Sequence, residues 1–271
     1  MEGGAGSDTL EGGLGADTLV GGSGDDVYVA EAGDEIVELA GDGLDRVETW
    51  LGLNRTLWAN VDNLRLLGDA DVDGAGNGRS NLLEGNAGAN RLLGLSGNDT
   101  LRGLAGDDTL TGGDGDDWYV IDAGGGADLI MESPDQGGVD TLQFIHSHHE
   151  NIVVSKAGQH LSILATSVEG PPVQVLLKDW YANSQRPIEW VQWADGSSSS
   201  AAEIDQMANA GRVVDGAELA WADQWVTSAS QQTPSWIHSM SDEDDDLQCR
   251  PRMVRMEDLE WWRRRDGVAM A

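Results

Sequence analysis

Aspartate or asparagine recurs every nine residues in two stretches of the chain, at Asp8, Asp17 and Asp26 and again at Asn81, Asn90, Asp99, Asp108 and Asp117. Carboxylates at a fixed spacing do chemistry only if the fold gathers them. Gathered and unpaired, they repel. A hard cation between them turns the repulsion into coordination, with turn carbonyls supplying further oxygens. Calcium, which takes six to eight flexible oxygen ligands, suits such a set better than magnesium with its rigid octahedron.

The residues around each aspartate say what must position it. Three contiguous nonapeptides, "GGAGSDTLE", "GGLGADTLV" and "GGSGDDVYV", start at Gly3, Gly12 and Gly21, and five more run from Gly76 to Val120. Four degenerate copies, from Ala30, Ala40, Ala123 and Asp135, place Glu35, Asp45, Asp128 and Asp140 at position six and sit one to three residues out of phase. Position eight is apolar throughout: Leu10, Leu19, Tyr28, Val37, Val47, Leu83, Leu92, Leu101, Leu110, Tyr119, Ile130 and Leu142. One inward side chain per nine residues describes a short strand followed by a glycine turn. A helix is excluded, because each interior glycine costs about 1 kcal/mol relative to alanine and these units carry several.

The units resemble the glycine-rich nonapeptide of repeats-in-toxin (RTX) proteins, G-G-x-G-x-D-x-U-x, a calcium-binding parallel β-helix repeat. The resemblance spans residues 3–143. It implies an all-β fold, a parallel β-roll or β-solenoid of two nonapeptides per coil, with strands ~4.8 Å apart. Loops eighteen residues apart then stack, setting Asp8 over Asp26, Asn90 over Asp108 and Asp99 over Asp117, with 99/117 and 8/26 the best pairs. The implied metal ligands are Asp8, Asp17, Asp26, Asp45, Asn90, Asp99, Asp108, Asp117, Asp128 and Asp140, holding several Ca2+ ions. A neutral amide makes Asn81 and Asn90 weaker donors than aspartate. The resemblance further implies a secreted, extracellular bacterial protein of toxin or exoprotein type. It would meet the type I secretion machinery as a partner and fold once outside, where calcium is millimolar.

Five segments are expected: a first repeat block (1–45), connecting β rungs (46–75), a second block (76–143), a β-rich C-terminal cap (144–210) and a poorly ordered tail (211–271). The connecting segment contains "DADVDG" (Asp69 to Gly74), half of an EF-hand loop without the closing glutamate, since Ser80 stands there; an acidic turn is the favoured reading. In the cap, "VLLKDWY" and "IEWVQWADG" are similar to the C-terminal segment of haemolysin-type calcium-binding proteins. Trp180, Tyr181, Trp190 and Trp193 are expected to cover the last rung. "HSHHE" groups His146, His148 and His149 but has no further ligand at metal spacing, so a polar turn is expected. The tail ends in a basic, tryptophan-bearing stretch, "MEDLEWWRRR", which departs from the family's usual export end.

Sixteen Lys and Arg face forty-eight Asp and Glu, a formal charge of −32. That field repels phosphate backbones, so nucleic acid is not an expected partner. One cysteine, Cys249, allows no intrachain disulfide. No transmembrane run is expected, nor a cleaved leader. Catalysis is not expected either: G-x-S-x-G, H-E-x-x-H and Gly-Lys are absent, and the repeats begin at Gly3. Two other readings remain at this point, a hydrolase with a site in 141–271 around Asp179 and His146, and a surface-layer or adhesive component in contact with a cell surface.

Overall fold

The computed structural model of the protein describes residues 1–40, 43–52, 57–132, 138–165, 171–182, 184 and 186–210. The tail from 211, with Cys249 and the basic stretch, lies outside the described residues, as do Gly41 and Asp42 of the Ala40 unit and residues 135–137 of the Asp135 unit. The fold is mostly β, a parallel solenoid of about 7 turns with one short helix.

Short strands alternate between two faces of the coil. One face is a ten-stranded sheet running from Thr9–Glu11 through Leu82–Glu84 and Thr100–Arg102 to Ser198–Ser200, every neighbouring pair parallel except the last. The other face is a three-stranded sheet, Glu2–Ala5, Thr18–Ser23 and Glu35–Val37, and a separate seven-stranded sheet that begins at Gly74–Ala75.

Position eight fills the space between the faces. Cα partners run Leu10, Tyr28, Val47, Leu64, Leu83, Leu101, Tyr119, Leu142 and Val191 along one wall. Leu92, Leu110, Ile130 and Leu177 stand along the other. All are fully buried and belong to one core. With a single side chain per strand meeting its counterpart, the core is one layer thick, so each coil depends on its neighbours for burial.

Two sequence assignments need correction. Position six of the Ala30 unit is filled by Asp34, not Glu35, and position eight by Ile36, not Val37. That coil is seventeen residues long, as the hydrogen bond from Asp17 N–H to Asp34 Oδ1 shows. Leu19 therefore pairs with Ile36, which is 3 % exposed, while Val37 turns outward at 40 %. A one-residue slip exchanges the faces of a strand, and the chain takes the register that buries isoleucine.

Residues 57–67 form a further coil: Asn63–Leu66 lies between Arg46–Thr49 and Leu82–Glu84, all parallel, with Leu64 buried. The "DADVDG" stretch is a turn of the same solenoid. Asp71 Oδ1 accepts from Ala89 N–H and Asp73 Oδ1 from Arg91 N–H, one coil on.

At the C-terminal end Val173–Leu177 and Trp190–Gln192 extend the two sheets in parallel. Antiparallel strands then follow on both faces, His160–Ala165 with Ile152–Ala157 on one and Ser198–Ser200 on the other. Trp193 stacks on Phe144 at 5.3 Å between centroids, and Trp180 is buried with its Nε1–H donating to Asp205 Oδ1 of the helix Ala201–Ala210. Tyr181 is half-buried, and Trp190, expected in the same cover, is 44 % exposed.

The register correction makes a prediction. Ile36→Ala should destabilise the calcium-loaded protein by about 2–4 kcal/mol, as a buried truncation does, and Val37→Ala by about 0.5 kcal/mol or less. Urea denaturation of both variants checks it; the opposite ranking would restore the original phase.

Candidate functional site

Glycine has separate duties in the turn. Position four takes φ between 103° and 135° at Gly6, Gly15, Gly24, Gly97, Gly106 and Gly115, a region closed to residues with a Cβ. Position two tolerates more, since Leu95 (φ 86°) and Leu104 (φ 77°) occupy it. Position one is glycine for want of space. A methyl on Gly94 would lie under 3.0 Å from both Asp99 Oδ2 and the carbonyl oxygen of Gly112, and Gly3 stands likewise against Asp8 Oδ2 and Gly21 O. These two turns thus bring a carboxylate oxygen of one coil and a carbonyl oxygen of the next to a shared point beside the first glycine.

The other carboxylate oxygen ties the coils together. The N–H of Asp8 donates to Asp26 Oδ1 (2.7 Å), that of Asp26 to Asp45 (3.0 Å), and that of Asp45 to Asp62 Oδ2 (3.0 Å). The same edge continues from Asn81 to Asp99, Asp117 and Asp140 and closes on Glu189. On the opposite edge Asp17 reaches Asp34, and Asn90 reaches Asp108 and Asp108 reaches Asp128. All three predicted pairs, 8/26, 90/108 and 99/117, are joined in this way. Asp34, Asp62 and Glu189 join the ladders without having been foreseen.

In Asp26, Asp99, Asp108 and Asp117 the ladder engages Oδ1, so the second oxygen is the one in question. Among the described residues Oδ2 of Asp8, Asp26, Asp99, Asp108 and Asp117 is buried and accepts no hydrogen bond. A desolvated carboxylate oxygen beside a carbonyl oxygen costs several kcal/mol unless a cation or a proton joins it. Burial, foremost, pushes Asp99 up to about 9, with the Asp117 and Glu132 charges adding to it. Burial likewise raises Asp140 to about 8, Asp108 to about 7, and Asp117 and Asp45 to about 6. These residues fit a hard cation: oxygen donors only, converging from two coils.

Asparagine closes its coils differently. Asn90 keeps Oδ1 beside Gly85 and the Gly103 carbonyl, but that oxygen accepts from Asn86 N–H, and its amide donates to Val72 O of the preceding coil. Asn77 and Asn81 donate in the same way to the carbonyls of Trp58, Val61 and Asp62.

Other candidates separate. His146 faces Asp122 at 4.0 Å and His149 faces Asp195 at 3.1 Å, each with its own carboxylate. Asp179 lies beside His160, whose Nδ1 accepts its N–H, so Asp179 and His146 have different partners. Where each repeat block ends, a buried tyrosine meets a buried glutamate. Tyr28 O–H donates to Glu38, and Tyr119 shares Gly112 N–H with Glu132 Oε1. Neither glutamate occupies position six, Glu38 being the ninth residue of the Ala30 unit and Glu132 following the Ala123 unit, but the spelling "DDVYV…E" and "DDWYV…E" repeats at both places.

The model of the RTX calcium-binding nonapeptide repeat matches four times, at residues 2–34, 75–106, 84–119 and 93–130. The chain carries RTX calcium-binding repeats. The RTX matches leave out residues 35–74, where the coil length departs from eighteen and Asp62 stands in an atypical unit. No curated protein matches the chain.

The carboxylate shifts fix a pH dependence. Without divalent ions the folded RTX coil holds more protons than the unfolded chain between about pH 4 and pH 9, so its stability falls as pH rises through that window. Ion-free protein should lose β ellipticity from acid toward pH 9, and calcium binding should release protons. A pH titration by circular dichroism checks the first; ion-free protein that gains stability as pH rises would contradict it.

Proposed function

We propose that the chain is a calcium-dependent β-roll module of a secreted protein, structural in itself, whose coil forms when Ca2+ enters the turns. The observation that supports it most is the set of buried Oδ2 atoms at Asp8, Asp26, Asp99, Asp108 and Asp117, each lacking a hydrogen-bond donor. The ligand set is Asp8, Asp17, Asp26, Asp45, Asp99, Asp108, Asp117, Asp128 and Asp140, extended by Asp34. Asn90 acts as a neutral closure, because its amide already bonds both coils.

Compartment follows from affinity. Sites of about 10⁻⁴ to 10⁻³ M fill at extracellular calcium and stay empty in the cytosol. The same chain is then unfolded, and fit for export through a type I channel, until it reaches the outside. Extracellular location supports a second point: a charge of −32 keeps the unfolded chain extended and soluble by self-repulsion.

Calcium titration of the full chain, followed by circular dichroism and by native mass spectrometry, tests the reading. It predicts a cooperative gain of β structure below a few millimolar calcium, with several ions retained. Asp99→Ala with Asp117→Ala should move the midpoint up about tenfold or more. An unchanged spectrum with no bound ion would reject the reading.

A further inference from the structure

Neither Glu38 nor Glu132 occupies position six of a nonapeptide, yet both reach the edge that carries the aspartates. Asp26, Glu38 and Asp45 are all buried and each offers a carboxylate oxygen within 4.8 Å of the others. Around Gly21, whose position leaves no room for a methyl, the Tyr28 hydroxyl, Glu38 Oε1 and Asp26 Oδ2 all crowd one point. Asp26 Oδ2 is buried without a hydrogen-bond partner, and Asp26 is 1 % exposed.

The second block repeats the residue types and the ladder bond, although among the described residues only Asp26, Glu38 and Asp45 bring three carboxylate oxygens within 4.8 Å of one another. Asp117 N–H donates to Asp140 Oδ1 as Asp26 N–H does to Asp45 Oδ1. Glu132 Oε1 accepts from the N–H groups of Gly112 and Gly113, at 3.0 and 3.1 Å, and Tyr119 O–H stands on the same Gly112 N–H at 2.7 Å. Glu132 Oε2 and Asp117 Oδ2 are both buried and accept nothing, with Glu132 8 % exposed and Asp117 fully buried.

We infer that each repeat block ends in a calcium site of a second kind, Asp26/Glu38/Asp45 and Asp117/Glu132/Asp140, in which the glutamate supplies the ligand that a further glycine turn would otherwise supply. The inference rests on the calcium reading above and adds residues to it. Past Gly21 and Gly112 the next coil lacks a regular G-G-x-G turn, reading "AEAGDEIVE" and "IDAGGGADLIME". A row of ions that stopped there would leave the last aspartate facing an incomplete shell. A glutamate reaching back one coil completes it, and the tyrosine hydroxyl holds that glutamate in place. The offset differs, ten residues from Tyr28 to Glu38 but thirteen from Tyr119 to Glu132, so contact geometry rather than spacing is retained.

Native mass spectrometry of the full chain at fixed calcium tests this, with Glu38→Gln, Glu132→Gln and the exposed control Glu11→Gln. Glutamine keeps an oxygen for the tyrosine and glycine donors while removing the charge. Each of the two variants should retain one ion fewer than wild type, and the double variant two fewer, with wild-type circular dichroism at saturating calcium; the control should lose none. Variants that fold and keep the wild-type ion count and midpoint would overturn the inference. Should a glutamine variant stay unfolded, Glu38→Asp and Glu132→Asp decide. They keep the charge but withdraw the oxygen by one methylene, and a midpoint within twofold of wild type would overturn it, whereas a rise of tenfold or more would support it. Wild-type protein that retains no ion would sink the calcium reading itself, a result separate from either.

Discussion

A carboxylate has two oxygens, and in this solenoid they meet unequal surroundings. One is spent on the backbone N–H of the loop one coil earlier, a bond that runs along one edge from Asp8 to Asp62 and again from Asn81 to Glu189. That bond orients the side chain, and the second oxygen is cut off from water, lying at Asp8 and Asp99 beside the carbonyl of the neighbouring turn. The rest of the structure depends on what neutralises that second oxygen. A one-layer core of leucines and tyrosines contributes too little burial per residue to carry a row of desolvated like charges by itself. On the proposed reading, a divalent ion shared by adjacent turns removes the penalty and adds coordination, and ion binding and coil formation become a single equilibrium.

The glycines serve that arrangement. In six units position four supplies a left-handed backbone conformation that favours glycine, and position one leaves space where, at Gly3 and Gly94, oxygens from two coils converge. The asparagine coils between Asn77 and Asn90 show the alternative solution. An amide carries its own donor, so Asn81 and Asn90 bond the preceding coil's carbonyls directly. Placed mid-solenoid, between the connecting coil and the regular second block, they give a stretch of neutral closure flanked by charged ones.

Much of this was legible in the sequence because the signal is periodic. Nine-residue phasing gave the coil, the inward position and the three stacked pairs 8/26, 90/108 and 99/117. Legibility failed where the period broke. In "AGDEIVE" two acidic residues are adjacent, and composition cannot say which occupies the edge; burial of Ile36 over Val37 decides for Asp34. Asp62 sits in "NVDNLRL", which has the D-x-L spacing of a repeat but no glycine turn before it. Glu38 and Glu132 act from beyond the unit they complete, at different offsets, so only the recurrence of "DD-x-Y-V" followed by a glutamate could have marked them. In the cap, the aromatic cover was foreseen as a group, but the side of the strand each tryptophan takes was not. Trp193 faces inward onto Phe144, and Trp190, an odd number of residues away, faces solvent.

What neutralises these oxygens is a matter of individual atoms, and an anomalous difference map from crystals grown with calcium addresses them directly. The account predicts peaks beside Oδ2 of Asp8, Asp26, Asp99, Asp108 and Asp117, each also touching a carbonyl oxygen of an adjacent turn. Ordered coils with no such peaks, those oxygens being protonated or bonded to water, would contradict it.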